Sequence, residues 1–240
     1  MNLFLTLAFL FFLGSVAGWC LELFFRHFTS PERKWINPGF CVGPWLPIYG
    51  FGVCAAYLFA SLDELCLIAD PFWNKVVFFG SMALCMTVIE YVAGLLCVKV
   101  FKVRLWDYSN MWGNIQGIIC PLFSLFWAVL GGIYYFLLHP WLVEAVDWLA
   151  NNLAFSFVIG LFYGVFIIDV IYSGKLIARI KKFAEDNEVI VKYENLKAHI
   201  HSAQVKAKAR THFFFPLHSS QPLAEHLKEM RSSLEKRIRK

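Results

Sequence analysis

LFLTLAFLFFLGSVAGWCLELFF, residues 3–25, carries one charged side chain, Glu22, in 23 positions. As a helix rising 1.5 Å per residue it reaches about 34 Å, enough to cross a hydrocarbon core about 30 Å thick. Four further runs repeat the signal, at 45–62, 75–98, 115–138 and 153–172, and together they predict an all-α polytopic membrane protein with a bundle of about five transmembrane helices. The second run is short and has the apolar patch Cys66-Leu67-Ile68-Ala69 to borrow from. Composition agrees, since 59% of the 240 residues are hydrophobic, 18% aromatic and only 16% charged, too apolar for an ordinary water-soluble domain. Residues 1–172 therefore read as a transmembrane domain and 173–240 as a basic cytosolic helical tail. No basic residue precedes the first run and no small-x-small cleavage site leads from it into polar chain, so it reads as a helix and not as a cleaved signal.

Basic residues sort to one side. Arg26, Arg33 and Lys34 follow the first run, Lys99, Lys102 and Arg104 the third, and fifteen more come after the fifth, whereas Lys75 lies opposite. Asp63, Glu64, Asp70, Glu144 and Asp147 occupy the other connections. The positive-inside rule then puts the amino terminus outside and the carboxyl terminus in the cytoplasm. Tryptophans 35, 45, 73, 106, 112, 141 and 148 fall near the expected span ends, where amphipathic rings collect. The seven cysteines are scattered and include no C-x-x-C, a pattern of small core residues and not of a disulfide framework or thiolate metal site.

Small residues four apart, Gly14 with Gly18 and Ser156 with Gly160 and Gly164, predict packing seams between helices, internal in preference to a homodimer contact. A weak repeat joins the first two helical hairpins: Glu22, then Asn37 seven residues before Pro44, is echoed by Glu90, then Asn114 seven before Pro121. Leu176, Ile180 and Phe183 continue the fifth run as an amphipathic segment, and Leu223, Leu227, Met230, Leu234 and Ile238 trace another helical stripe. Basic faces on both attract anionic membrane lipid.

Charges within the spans are the functional candidates, because ionisable groups in hydrocarbon are costly and line cavities or pathways. Glu22, Glu90 and Asp169 fall roughly 28, 21 and 24 Å from the outer end at 1.5 Å per residue, all in the inner half, and are expected to share a polar pocket facing the cytoplasm. Glu22 has Arg26 one turn on, an ordinary helical ion pair. Asp169 either snorkels to the interface or pairs with Lys175 or Arg179. Glu90 has no cation within four residues and needs a partner from another helix, water or a proton, which makes it the leading candidate.

The inner connection NPGFCVGPWLPIYGFG, 37–52, holds three prolines and four glycines. Proline suits a first helical turn and glycine unusual backbone angles, so a compact re-entrant or cap-like loop is expected, packed by Trp45 and Tyr49 against a polar cluster that includes Asn37. The second inner connection offers Asp107, Tyr108, Ser109, Asn110, Asn114 and Gln116. These groups either cap and turn the chain or bind a polar substrate or lipid head group. Asn114 and Gln116 are expected to open the fourth span, in which Ser124 completes the candidate set.

Glu22, the 37–52 stretch, Glu90 followed by Gly94, WDYSN at 106–110 and NIQGIICPLFSLFW at 114–127 together resemble the bacterial family of ABC-transporter permeases known as the CmpB, or type IV, group. The likeness runs over about residues 3–140. It implies a transport role in a bacterial cytoplasmic membrane and a separate ATPase subunit, with a homodimer as a further expectation because five spans are few for a permease. Ile118 stands where a basic residue is expected after Gly117. The chain itself has no G-x-x-x-x-G-K-[ST] and so is not the ATPase half.

Two other roles compete. A scaffold or sensor would use the basic tail to bind a cytosolic partner. An enzyme on lipid-linked substrates lacks support, since H-E-x-x-H and G-x-S-x-G are both absent. The tail histidines 199, 201, 212, 218 and 226 are too loosely spaced in sequence to predict a metal site, and neither a cofactor nor nucleic-acid binding is expected.

Overall fold

The computed structural model describes residues 2–29, 35–63, 70–206, 212–219 and 221–238. The basic residues Arg33 and Lys34, Glu64 and the patch 66–69 lie outside the described residues, as do the side chains of Leu234 and Ile238. The described chain is helical almost throughout: α1 (Leu3–Thr29), α2 (Pro47–Asp63), α3 (Pro71–Leu95), α4 (Pro121–Ile133), α5 (His139–Asn151), α6 (Ser156–Asp186), α7 (Tyr193–Lys206) and α8 (Leu223–Ile238). Two short strands, β1 (Val103–Arg104) and β2 (Val191–Lys192), pair in parallel with Val103 opposite Val191.

Among the described residues, four helical stretches are long and apolar enough to cross a membrane: Leu3–Thr29, Phe72–Val100, Pro121–Asn151 and Ser156–Asp186. This is a multi-pass membrane protein. The expected second span is α2, a shorter apolar helix of 17 residues, so five full spans become four long ones and a short one. Two π-helical turns explain other differences in length. Leu96–Val100 prolongs α3, and Tyr134–Leu138 joins α4 to α5 without a break, so the fourth span runs on to Asn151 where sequence reading ended it at 138. Pro140 follows directly on the π-turn, whose His139 N–H reaches back five residues to the Tyr134 carbonyl, so the widened turn accommodates a residue that has no N–H to give. At its start that span also differs: Cys120 is extended and Pro121 opens α4, leaving Asn114 and Gln116 in a preceding turn and not in the helix.

Two compact units share the chain. The first comprises 1–21, 44–93 and 108–168, the second 22–43, 94–107 and 169–240. Within the first, α1 and α2 meet at the expected small-residue seam. A Cβ on Gly18 would lie 2.2 Å from Cβ and Cγ of Tyr49, and one on Gly14 2.8 Å from Val53. Nothing lies within 4 Å of a Cβ built on Gly160 or Gly164, so among the described residues the α6 half of that expectation does not hold. Gly18→Ala should lower stability by about 1–3 kcal/mol through overpacking, and Gly160→Ala should be near neutral; thermal unfolding in detergent checks both.

The second unit has a core of its own. Ile177, Ile180 and Ala184 of α6, Leu196 and Ile200 of α7, Leu227 of α8 and the paired strand residues Val103 and Val191 are buried together. Of the stripe predicted at 176, 180 and 183, Ile180 lies in this core and Phe183 packs partly buried against it, while Ile177 and Ala184 in place of Leu176 complete the packed face of α6, which continues unbroken to Asp186.

Candidate functional site

In the first unit Glu90 is 3% exposed on α3. Its Oε1 accepts from the Tyr108 hydroxyl and its Oε2 from the Trp127 indole N–H, both at 3.1 Å. Aromatic contacts hold these donors in place: Tyr108 stacks on Phe123 at 4.2 Å, and Trp127 packs against Tyr49 at 5.2 Å. A carboxylate in a membrane helix is therefore held by two neutral donors, Trp127 from α4 and Tyr108 from the preceding connection, where the sequence left a partner from another helix, water or a proton open. Through Trp127 the ring of Tyr49 does join this polar cluster. Trp45 does not; it packs edge-on against Phe162 and Phe166.

The turn after β1 is built by its own polar residues. Asn114 donates through Nδ2 to the carbonyls of Ser109 and Met111 and accepts from the Gly117 amide through Oδ1. Tyr108 N–H donates to the Gly117 carbonyl, closing the loop. Gln116 has φ of 54° and takes part through its backbone conformation. Ser124 N–H bonds to the Cys120 carbonyl in the first turn of α4. These contacts favour the capping and turning role of this segment.

In the second unit the loop 37–43 is tied down from both ends. Asn37, 1% exposed, donates through Nδ2 to the carbonyls of Cys41 and Val42. Gly39 takes φ of 72°, a left-handed conformation that suits glycine. The Asp169 carboxylate on α6 accepts from Val42 N–H at 3.0 Å, Gly43 N–H at 2.8 Å and the Ser173 hydroxyl at 2.9 Å. Its partners are thus loop amides and a serine, neither of the two alternatives, snorkelling or a pair with Lys175 or Arg179, that the sequence offered. Opposite, the fully buried Lys197 of α7 donates to the carbonyls of Asn37 at 2.8 Å and Gly39 at 3.3 Å. An anion takes the loop's amides and a cation takes its carbonyls, so the charges satisfy polar backbone that would otherwise be costly to bury.

Lys197 belongs to a longer chain of charges. Its Nζ lies 2.8 Å from Glu194, which also meets Arg26 at 2.9 Å, and Arg26 pairs with Glu22 at 2.7 Å as its i,i+4 spacing foretold. Burial pushes the Glu194 carboxyl up, but Lys197 and then Arg26 outweigh it and hold the group below the ordinary glutamate range. Asp107, read as a turn or ligand residue, forms ion pairs with Arg104 at 3.0 Å and Lys192 at 2.5 Å beside the strand pair. Each of the three intramembrane acids thus has its own partners, Glu90 in the first unit, Glu22 and Asp169 in the second.

Sequence reasoning missed Lys197 and Glu194. Their i,i+3 spacing predicts at most a helical ion pair, since the loop that Lys197 serves is about 160 residues away. A pocket of about 230 Å³ in the second unit is walled by Phe40 and Cys41 of the loop, Tyr172 and Arg179 of α6, and Phe215 and His218 of the tail, and none of the three acids expected to share a pocket lines it.

A family model described as "Putative ABC-transporter type IV" matches residues 9–174. No curated protein and no solved structure matches the chain.

Proposed function

Since the chain belongs to the type IV ABC-transporter family, which is matched over more than half its length, we propose that this membrane protein is the permease component of a transporter whose ATPase is a separate chain. The observation that carries the reading is Glu90, a carboxylate held inside a membrane-spanning helix by Tyr108 and Trp127. Such a group is costly to keep in hydrocarbon and characteristic of a substrate or proton path. Residues 1–172 act as the membrane domain and 173–240 as the cytosolic tail, with the amino terminus outside a bacterial cytoplasmic membrane. The pocket flanked by loop 37–43 and Arg179 then opens toward the cytoplasm and serves as an inner vestibule for a polar solute. Its walls come from the loop that Asp169 and Lys197 secure.

Purification from native membranes in mild detergent, followed by mass spectrometry, tests the assignment. A co-purifying ATPase with a G-x-x-x-x-G-K-[ST] loop, together with an enriched solute, is the expected result. Recovery of neither under conditions that preserve other transporter complexes would count against a permease.

A further inference from the structure

We propose that the helical tail holds a binding site for a divalent transition-metal ion of the zinc type, formed by His199, His226 and Glu229. The three are far apart in sequence but converge in the fold. His199 lies on α7, while His226 and Glu229 lie one turn apart on α8, an i,i+3 spacing that puts both on one helical face. One ligand atom from each falls within 4.8 Å of the others.

Geometry and burial both favour a ligand over a packing role. His226 is 1% exposed, and its Nε2 is engaged at 2.9 Å by the Ser219 hydroxyl. Its other nitrogen, Nδ1, is buried without a hydrogen-bond partner, and so is Nε2 of His199. Two buried imidazole nitrogens with unused lone pairs or protons are costly unless something meets them. The rings stand nearly perpendicular, at 80° with centroids 5.7 Å apart, an edge-to-face approach that suits packing and shared ligation alike. His199 Nε2 and Glu229 Oε2 are 3.5 Å apart, close to the edge of about 3.4 Å that two ligands make around tetrahedral zinc at bond lengths near 2.1 Å. Glu229 is half exposed at its side chain, so the group is reachable from water.

Two imidazoles and one carboxylate suit zinc or a neighbouring first-row ion, with a fourth position open to water. Ser219 fills the supporting role: by engaging Nε2 of His226 it orients the ring and directs Nδ1 inward. Ile200 and Leu227, each next to a ligand in sequence, are already buried in the second unit's core. The ion is therefore not needed to build the fold, and it fastens α8 to α7 when present.

Metal-free full-length protein in detergent, titrated with Zn²⁺ against a chromophoric chelator, gives the test, with Co²⁺ absorption as a second readout. One ion per chain is expected, with the intense visible band of four-coordinate cobalt. Glu229→Gln removes an exposed ligand without disturbing the core, so it should weaken Zn²⁺ binding at least about tenfold, no less than loss of an outer-shell partner does, at unchanged thermal stability of the metal-free protein. His199→Ala should do the same, and His212→Ala should bind as the parent does. Absence of stoichiometric binding would overturn the site, as would binding indifferent to Glu229→Gln and His199→Ala or lost in His212→Ala.

Discussion

Asp169→Asn is expected to destabilise the protein as much as Asp169→Ala, by about 2–5 kcal/mol in each case, although asparagine has the same shape. The reason is that both carboxylate oxygens accept backbone N–H bonds, Oδ1 from Val42 and Oδ2 from Gly43. An asparagine offers one oxygen and turns its NH₂ toward the other amide, replacing an attraction with two opposed donors. Alanine leaves both amides unpaired, and Ser173 loses its acceptor as well. Thermal unfolding in one detergent, with circular dichroism to confirm helix content, reads the effect. An asparagine variant within about 0.5 kcal/mol of the parent would mean that water replaces the carboxylate at the loop, since ordered water is nearly as good a partner as a direct bond.

Glu90→Gln is expected to behave in the opposite way, with little loss of stability and a loss of transport of about tenfold or more. An indole N–H only donates, whereas a tyrosine hydroxyl also accepts. Glutamine can therefore turn its oxygen to Trp127 and its NH₂ to Tyr108, keeping both contacts while the charge disappears. Stability should stay within about 1 kcal/mol, the size of one net hydrogen bond. Flux of the co-purifying solute in proteoliposomes, at matched protein content, gives the functional side. Glu22→Gln supplies the comparison, because its carboxylate already has a structural partner in Arg26 one turn away, at the end of the chain through Glu194 to Lys197. Equal, near-parental flux for both variants would remove Glu90 from the pathway and leave it a structural group.

Hydrophobic runs made the membrane class and most helices legible, because a span announces itself through unbroken apolar length. Boundaries were harder to see. The π-turn at Tyr134–Leu138 let the helix pass beyond 138, and the turn built by Asn114 and Gly117 delayed α4 to Pro121; neither depends on hydropathy. The pair Glu22–Arg26 was legible since both partners lie on one helix. The partners of Asp169 were hidden because a backbone amide has no letter in the sequence. Lys197 was hidden among many tail cations, with nothing to distinguish the one that turns inward. The histidines show the same effect in the metal site: 199 and 226 look unrelated until α7 and α8 fold against one core.

Securing the loop at 37–43 with residues 127 and 160 positions later also imposes an order on synthesis. At about 5–20 residues per second, roughly 6–30 s separate the emergence of the loop from that of its anchors. Until those anchors emerge, the Val42 and Gly43 amides and the Asn37 and Gly39 carbonyls have only water or the insertion machinery as partners. A nascent chain halted before Asp169 would carry inserted helices yet leave both ends of this turn untied, and quality-control proteases would meet it as an unfinished edge.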